Sequence, residues 1–206
     1  MNRSHLLFFL FCIFFISCNN NKTENTAVPK TEADTTVNTD SSSKVKTIVF
    51  FGNSLTAGYG VDPTEAYPAL IQNIIDSLKL HYKVINAGVS GETSAGGNGR
   101  IEWILRQPVD VFALELGGND GLRGIPLTET KKNLQAIIDK VKSKYPDAKI
   151  MLEGMQIPPN MGQQYATDFK NIYPALASKN NIPILPFLLK DVGGDPKLNQ
   201  QDGIHP

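Results

Sequence analysis

Ser54 stands just past a run of large apolar side chains in "IVFFGNSLTAGYG" (residues 48–60), with Gly52 and Asn53 before it and small residues after it. A serine hydroxyl becomes a nucleophile when a general base takes its proton, and that base is commonly a histidine held in one tautomer by a carboxylate. The histidines are His5, His81 and His205. His81 lies in "SLKLHYKV" (77–84), where a helix is expected to join a strand, and a surface or half-buried structural role fits it best. His205 lies in "DGIHP" (202–206), three residues after Asp202, with Gly203 permitting a tight turn. In such a turn the Asp202 carboxylate can reach Nδ1–H of His205 and leave Nε2 free to take a proton. Alone, "DGIHP" reads as a polar terminal turn; joined to Ser54, it reads as the acid and base of a relay.

Acyl transfer also requires donors aimed at the oxyanion that develops on the attacked carbonyl. The candidates are the backbone N–H of Ser54, the backbone N–H of Gly88 and the side-chain amide of Asn119. Gly88 has no Cβ, so a substrate could approach its N–H closely. Asn119 supplies two amide hydrogens within "GGNDG" (117–121), which otherwise reads as a turn. Two loops, "LRGIPL" (122–127) and "MQIPPNMG" (155–162), flank these positions. Their Leu122, Ile125, Pro126, Ile157 and Pro158 are apolar enough to receive an acyl chain, or equally to pack the loops themselves.

Rival chemistries find less support. Residues 52–60 lack the Lys and following hydroxyl of a P-loop, and "SGETSAGGNG" (90–99) lacks the dinucleotide fingerprint directly after the first strand. Two isolated histidines beyond the N-terminal segment make no metal cluster. The G-x-S-x-G elbow of α/β-hydrolases is missing too: "GVSGE" (88–92) ends in Glu. Lys+Arg and Asp+Glu both number 20, so the net charge is zero and no basic field points to nucleic acid.

The elements that must position these residues alternate. Apolar strands are expected at 47–51, 82–88, 108–118, 148–155 and 182–187, and helices at 66–78, 127–145 and 163–180, the last despite Pro174. A further helix is expected within 94–107 once its glycines are past, and Thr128 is a candidate N-cap for the helix that follows it. Strand–helix repetition with nearly continuous apolar strands implies an α/β fold: a five-stranded parallel sheet with helices on both faces, three layers in all. Right-handed crossovers then bring every strand C-terminus to one edge, where open α/β sheets hold ligands. The loops at that edge are "GNSLT", "NAGVSGETS", "LGGNDGLRG" and "GMQIPPNMG", each rich in Gly, Asn or Ser.

The N-terminus belongs to no such domain. "MNRSHLLFFLFCIFFISC" carries Arg3, an apolar run over 6–16, then Ser17 and Cys18. The run is shorter than the roughly 20 residues of a spanning helix and has the layout of a secretory signal. A small residue before Cys resembles a bacterial lipoprotein signal, with Cys18 as the lipidated terminus, although Phe15 stands where Leu is usual. We therefore expect a signal over 1–17, a flexible polar tether over 18–45 and a folded domain over 46–206. The expected location is the cell envelope, by export and lipid attachment to a membrane.

Four blocks carry a family resemblance: Ser54 in "FFGNSLTAGYG", Gly88 in "VINAGVSGETS", Asn119 in "ELGGNDGLRG", and Asp202 with His205 in "DGIHP". In this order, over residues 48–206, the chain resembles the SGNH (GDSL-type) hydrolases, in their thioesterase I/lysophospholipase L1-like and arylesterase branch. The resemblance implies a flavodoxin-like three-layer fold, a Ser–His–Asp mechanism on small acyl esters or thioesters, and no metal or organic cofactor. Two departures stand out. The family's first block usually reads Gly-Asp-Ser-Leu, and here Asn53 replaces the Asp. Relatives also continue past the His block into a final helix, which makes an incomplete chain the expectation. Two other readings remain: a carbohydrate O-deacetylase on the same scaffold, and a non-catalytic ligand-binding surface lipoprotein.

Overall fold

The computed structural model describes residues 44–206. The expected signal segment, Cys18 and nearly all of the expected tether lie outside the described residues. Five parallel strands form one sheet in the order β2-β1-β3-β4-β5: β1 Lys46–Gly52, β2 Tyr82–Gly88, β3 Val111–Glu115, β4 Lys149–Glu153 and β5 Ile184–Leu185. Between them run α1 Ser54–Ala57, α2 Tyr67–Ser77, α3 Ser94–Ile104, α4 Gly118–Leu122, α5 Leu127–Lys144 and α6 Gln163–Asn180. This is the α/β architecture that the strand–helix alternation implies.

The pleat divides the strands between two layers. Val49 and Phe51 of β1, Phe112 and Leu114 of β3, and Leu152 of β4 join the main core with Ile101, Leu134, Ile137, Phe169 and Leu176 of the helices. Side chains one position away point to the other face, where Phe50 meets Tyr67 of α2 edge to face at 5.3 Å. Burying such an apolar set supplies most of the folding free energy, at about 25 cal/mol per Å² of apolar surface.

Four local readings need correction. α3 begins at Ser94 and includes its glycines, because Thr93 Oγ1 caps the Gly96 N–H at 3.3 Å and a Cβ at Gly97 would collide with Leu116. The small residues let this helix lie close to the sheet. α5 begins at Leu127 with Pro126 as its cap, so Thr128 is inside the helix. "GGNDG" is a short helix entered through Gly117 at φ 108, a conformation that favours glycine. β5 is only two residues long because Pro183 and Pro186 bracket it and neither has an N–H for a ladder. Pro174 sits inside α6 on its exposed side, and the carbonyl its ring leaves without an N–H partner belongs to the exposed Lys170.

The strand ends are flush. Gly52 is level with Gly88 on one side and with Glu115 on the other. The chain leaves β1 toward β2 and returns across it to β3, so the C-terminal ends of β1 and β3 flank the point where the strand order reverses. In open α/β sheets this is the crevice that receives ligands.

Candidate active site

Ser54 opens α1, a single turn that starts where β1 stops. Asn53 caps it through Oδ1, which accepts from the Leu55 N–H at 3.0 Å, and Gly58 ends it at φ 77. The turn holds Ser54 nearly buried, with 8% of its surface exposed. Its Oγ lies 2.8 Å from His205 Nε2, and His205 Nδ1 lies 2.6 Å from Asp202 Oδ2. A carboxylate only accepts, so Nδ1 carries the imidazole hydrogen and Nε2 presents its lone pair to the serine hydroxyl. The other Asp202 oxygen accepts from the backbone N–H of Ile204 at 2.9 Å and of His205 at 3.0 Å. The His205 side chain, more than any other contact, pulls the Asp202 carboxyl down to about 2, so it is charged throughout the neutral range.

The segment bearing His205 is tied down. Gln200 N–H donates to the His205 carbonyl at 2.7 Å, and Gln200 Nε2 donates to the Tyr59 carbonyl at 2.8 Å. The Tyr59 ring covers the imidazole with centroids 4.6 Å apart. These contacts hold residues 200–206 against the loop after α1.

Asn119 lies in α4 beside the serine, and its Nδ2 donates to the Glu92 carbonyl at 3.0 Å, leaving one amide hydrogen free. Its neighbour Asp120 is buried and fixes α4 against α3, accepting from Ser94 N–H at 2.8 Å and Ser94 Oγ at 2.5 Å. The loop between β2 and α3 is pinned by Arg100. That guanidinium pairs with Glu92, donates to the Ala87 carbonyl at 2.8 Å and lies 4.0 Å over the Phe51 ring.

Gly88 requires correction. Its N–H donates to Asn86 Oδ1 at 2.9 Å, and the space where a Cβ would sit holds the Ala57 backbone. Gly88 therefore lets α1 approach β2, and it is not among the residues that line the cleft. Gly91 does line the cleft, at φ 77, and among the described residues its N–H and that of Ser54 have no hydrogen-bond acceptor. The sequence signal for Gly91 was its place inside "VSGETS", three residues past the strand end rather than on it.

The cleft above Ser54 has a volume of about 480 Å³. Leu122, Ile157 and Pro158 line it as expected, whereas Ile125 and Pro126 do not. The Ile125 carbonyl instead accepts from Tyr165 at 2.7 Å, and Pro126 caps α5. Further apolar walls come from Leu55, Tyr59, Met155, Phe187 and Leu189, which the sequence reading did not single out. His81 is exposed at the opposite end of β2, with no part in the site. Among the described residues, no group of three or more His, Cys, Asp or Glu could hold a metal ion.

Known proteins share both the chain pattern and the shape. The sequence model of the GDSL-like Lipase/Acylhydrolase family matches residues 50–206. The chain is 38% identical over 162 residues to Esterase TesA of Pseudomonas aeruginosa, covering 78% of this chain and 80% of that protein. It is 39% identical over 161 residues to thioesterase 1/protease 1/lysophospholipase L1 of Escherichia coli, covering 78% and 75%. Among solved structures, AlinE4, an SGNH-hydrolase family esterase, superposes with a TM-score of 0.73 at 40% identity, covering 79% of this chain and 87% of that one. With the family match spanning residues 50–206 and the fold shared at this identity, the chain belongs to the GDSL-like lipase/acylhydrolase family and is an SGNH-type hydrolase.

Proposed function

We propose that this protein is a serine esterase that hydrolyses carboxylic acyl esters or thioesters, with Ser54 as nucleophile, His205 as general base and acid, and Asp202 orienting the imidazole. The observation that carries the reading is the unbroken Ser54 Oγ–His205–Asp202 chain, at 2.8 and 2.6 Å, at the floor of an apolar cleft. Ser54 Oγ attacks the acyl carbon as its proton passes to His205 Nε2. The oxyanion is met by the N–H groups of Ser54 and Gly91 and by the free hydrogen of the Asn119 amide. The C–O or C–S bond then breaks, and His205 returns the proton to the leaving alkoxide or thiolate. Water attacks the acyl-serine next, its proton going to His205, and as the Oγ–acyl bond breaks His205 gives that proton to Oγ, which releases the acid and restores both Ser54 and the neutral imidazole.

Relatives named esterase, thioesterase and lysophospholipase support this substrate range. The apolar lining supports an acyl group longer than acetyl. Hydrolysis of aryl esters over a graded acyl series tests both points. Turnover should rise beyond the acetyl ester and vanish in Ser54→Ala, and Ser54→Ala at wild-type rate would end the reading. The apolar run over 6–16 followed by Ser17 and Cys18 supports export and lipid attachment at Cys18.

A further inference from the structure

Beneath the nucleophile lies a carboxyl group that the scheme above does not use. Glu115, the last residue of β3, is fully buried. Its Oε1 accepts from Asn53 Nδ2 at 2.6 Å, and its Oε2 accepts from the Asn53 backbone N–H at 3.0 Å and from Thr56 Oγ1 at 2.8 Å. Gly52 makes the approach possible, since a Cβ there would collide with both Thr56 Oγ1 and Glu115 Oε2. The polar chain continues from Thr56 Oγ1 to the Tyr67 hydroxyl at 3.0 Å, and Tyr67 donates to Glu153 Oε2 at 3.0 Å.

Several other groups surround this carboxyl. Glu153 of β4, Tyr67 of α2 and Tyr173 of α6 are the titratable side chains that face Glu115. Arg100 of α3 reaches the Gly52 carbonyl at 3.4 Å, but its charge is paired with Glu92. The orientation of the Asn53 amide is settled by its other end, because Oδ1 takes the Leu55 N–H at 3.0 Å. Nδ2 must therefore point at Glu115.

We propose that Glu115 is a positioning residue for Ser54, acting through the Asn53 side-chain amide, which keeps the contact whichever charge Glu115 carries. An inventory of hydrogens supports this. Ionised Glu115 accepts all three bonds; Thr56 then has no hydrogen left for Tyr67, so that contact is bridged only when Tyr67 turns its own hydrogen from Glu153 to Thr56. Protonated Glu115 places its hydrogen on Oε2 toward Thr56, whose hydroxyl then donates to Tyr67, while Oε1 still accepts from Asn53. Asn53, the cap of the turn that begins at Ser54, moves in neither state. Burial pushes Glu115 up to about 8, so both states belong to the working range. A carboxylate at position 53 brings no hydrogen of its own, so the pair would need a shared proton and would repel once it is lost.

This inference rests on Ser54 as the nucleophile, and its test includes a readout that does not. Wild type, Asn53→Asp and the double variant Asn53→Asp/Glu115→Gln are compared in kcat/KM and in melting temperature from about pH 6 to about pH 10. Asn53→Asp should stay within about tenfold of wild type near neutral pH. It should then lose a further tenfold or more on an alkaline limb that wild type lacks, and its melting temperature should fall faster with pH. In the double variant the new carboxamide at 115 donates to the new carboxylate, so the alkaline loss should disappear. Parallel profiles for wild type and Asn53→Asp, or a double variant as pH-sensitive as the single, would overturn the proposal. If Asn53→Asp fails to fold, recovery of folding in the double variant supports it, and failure of both overturns it. Should no form turn over ester, the esterase reading fails, while the melting curves still decide the role of Glu115.

Discussion

The Ser54 hydroxyl has two acceptors within reach, His205 Nε2 at 2.8 Å and Asn53 Oδ1 at 3.3 Å. In the proposed mechanism the shorter contact is the path of the proton, and an uncharged amide at 53 leaves His205 the stronger acceptor. Asn119 stands in contrast, since one amide hydrogen is fixed on the Glu92 carbonyl and holds the other in place. Asn119→Ala is expected to lower kcat by roughly 10²–10³-fold with KM little changed, because an oxyanion donor acts in the transition state. Steady-state kinetics on an aryl ester check this. Ser54, Asn119, Asp202 and His205 stood out in the sequence as a candidate set only when joined through the four blocks of the resemblance, since "GGNDG" and "DGIHP" alone read as turns. Glu115 was not legible, since a glutamate closing an apolar strand gives no sign that it is buried until its donors, Asn53 and Thr56, are seen around it.

At the scale of elements, the site depends on how closely α1, α3 and α4 approach the sheet. Gly88 is the clearest case: its missing Cβ leaves room for the Ala57 backbone. Gly88→Ala should cost about 1–3 kcal/mol of stability through overpacking, read as a lower denaturation midpoint. A variant of full stability with lost activity would instead restore Gly88 to the reaction. Asp120 holds the N-terminus of α3 to α4 through the Ser94 N–H and hydroxyl. The longer helices followed from apolar spacing, and the strands from short apolar runs bounded by Gly, Pro or Asn, since length and flanking residues identify a buried strand where period does not. The start of α3 did not follow. Its Gly96, Gly97 and Gly99 are poor helix formers, and the compensating cap and close packing are tertiary facts.

At the scale of the whole molecule, Glu115 and Glu153 are buried carboxyls on the sheet face beneath α2. Burial raises Glu115 to about 8 and Glu153 to about 7, above the ordinary value of 4.5. A carboxyl whose folded pKa is raised stabilises the fold fully below its unfolded pKa, and that stability is lost as pH rises through the folded value. The folding free energy should therefore decline between about pH 4.5 and about pH 8. Glu153→Gln keeps an acceptor for Tyr67 and should remove roughly 3 kcal/mol of that decline, seen by chemical denaturation at several pH values. An unchanged slope would show that Glu153 is hydrated and ordinary. The N-terminal segment makes a separate claim at this scale: cells fed labelled fatty acid should label the protein, and Cys18→Ala should lose the label.

Covalent capture asks whether Ser54 is a nucleophile activated by His205. A fluorophosphonate probe followed by peptide mass analysis should place one adduct on Ser54. The adduct should be absent in Ser54→Ala and form about a thousandfold or more slowly in His205→Ala. An adduct on another residue, or labelling of His205→Ala at the wild-type rate, would rule out His205-activated attack by Ser54.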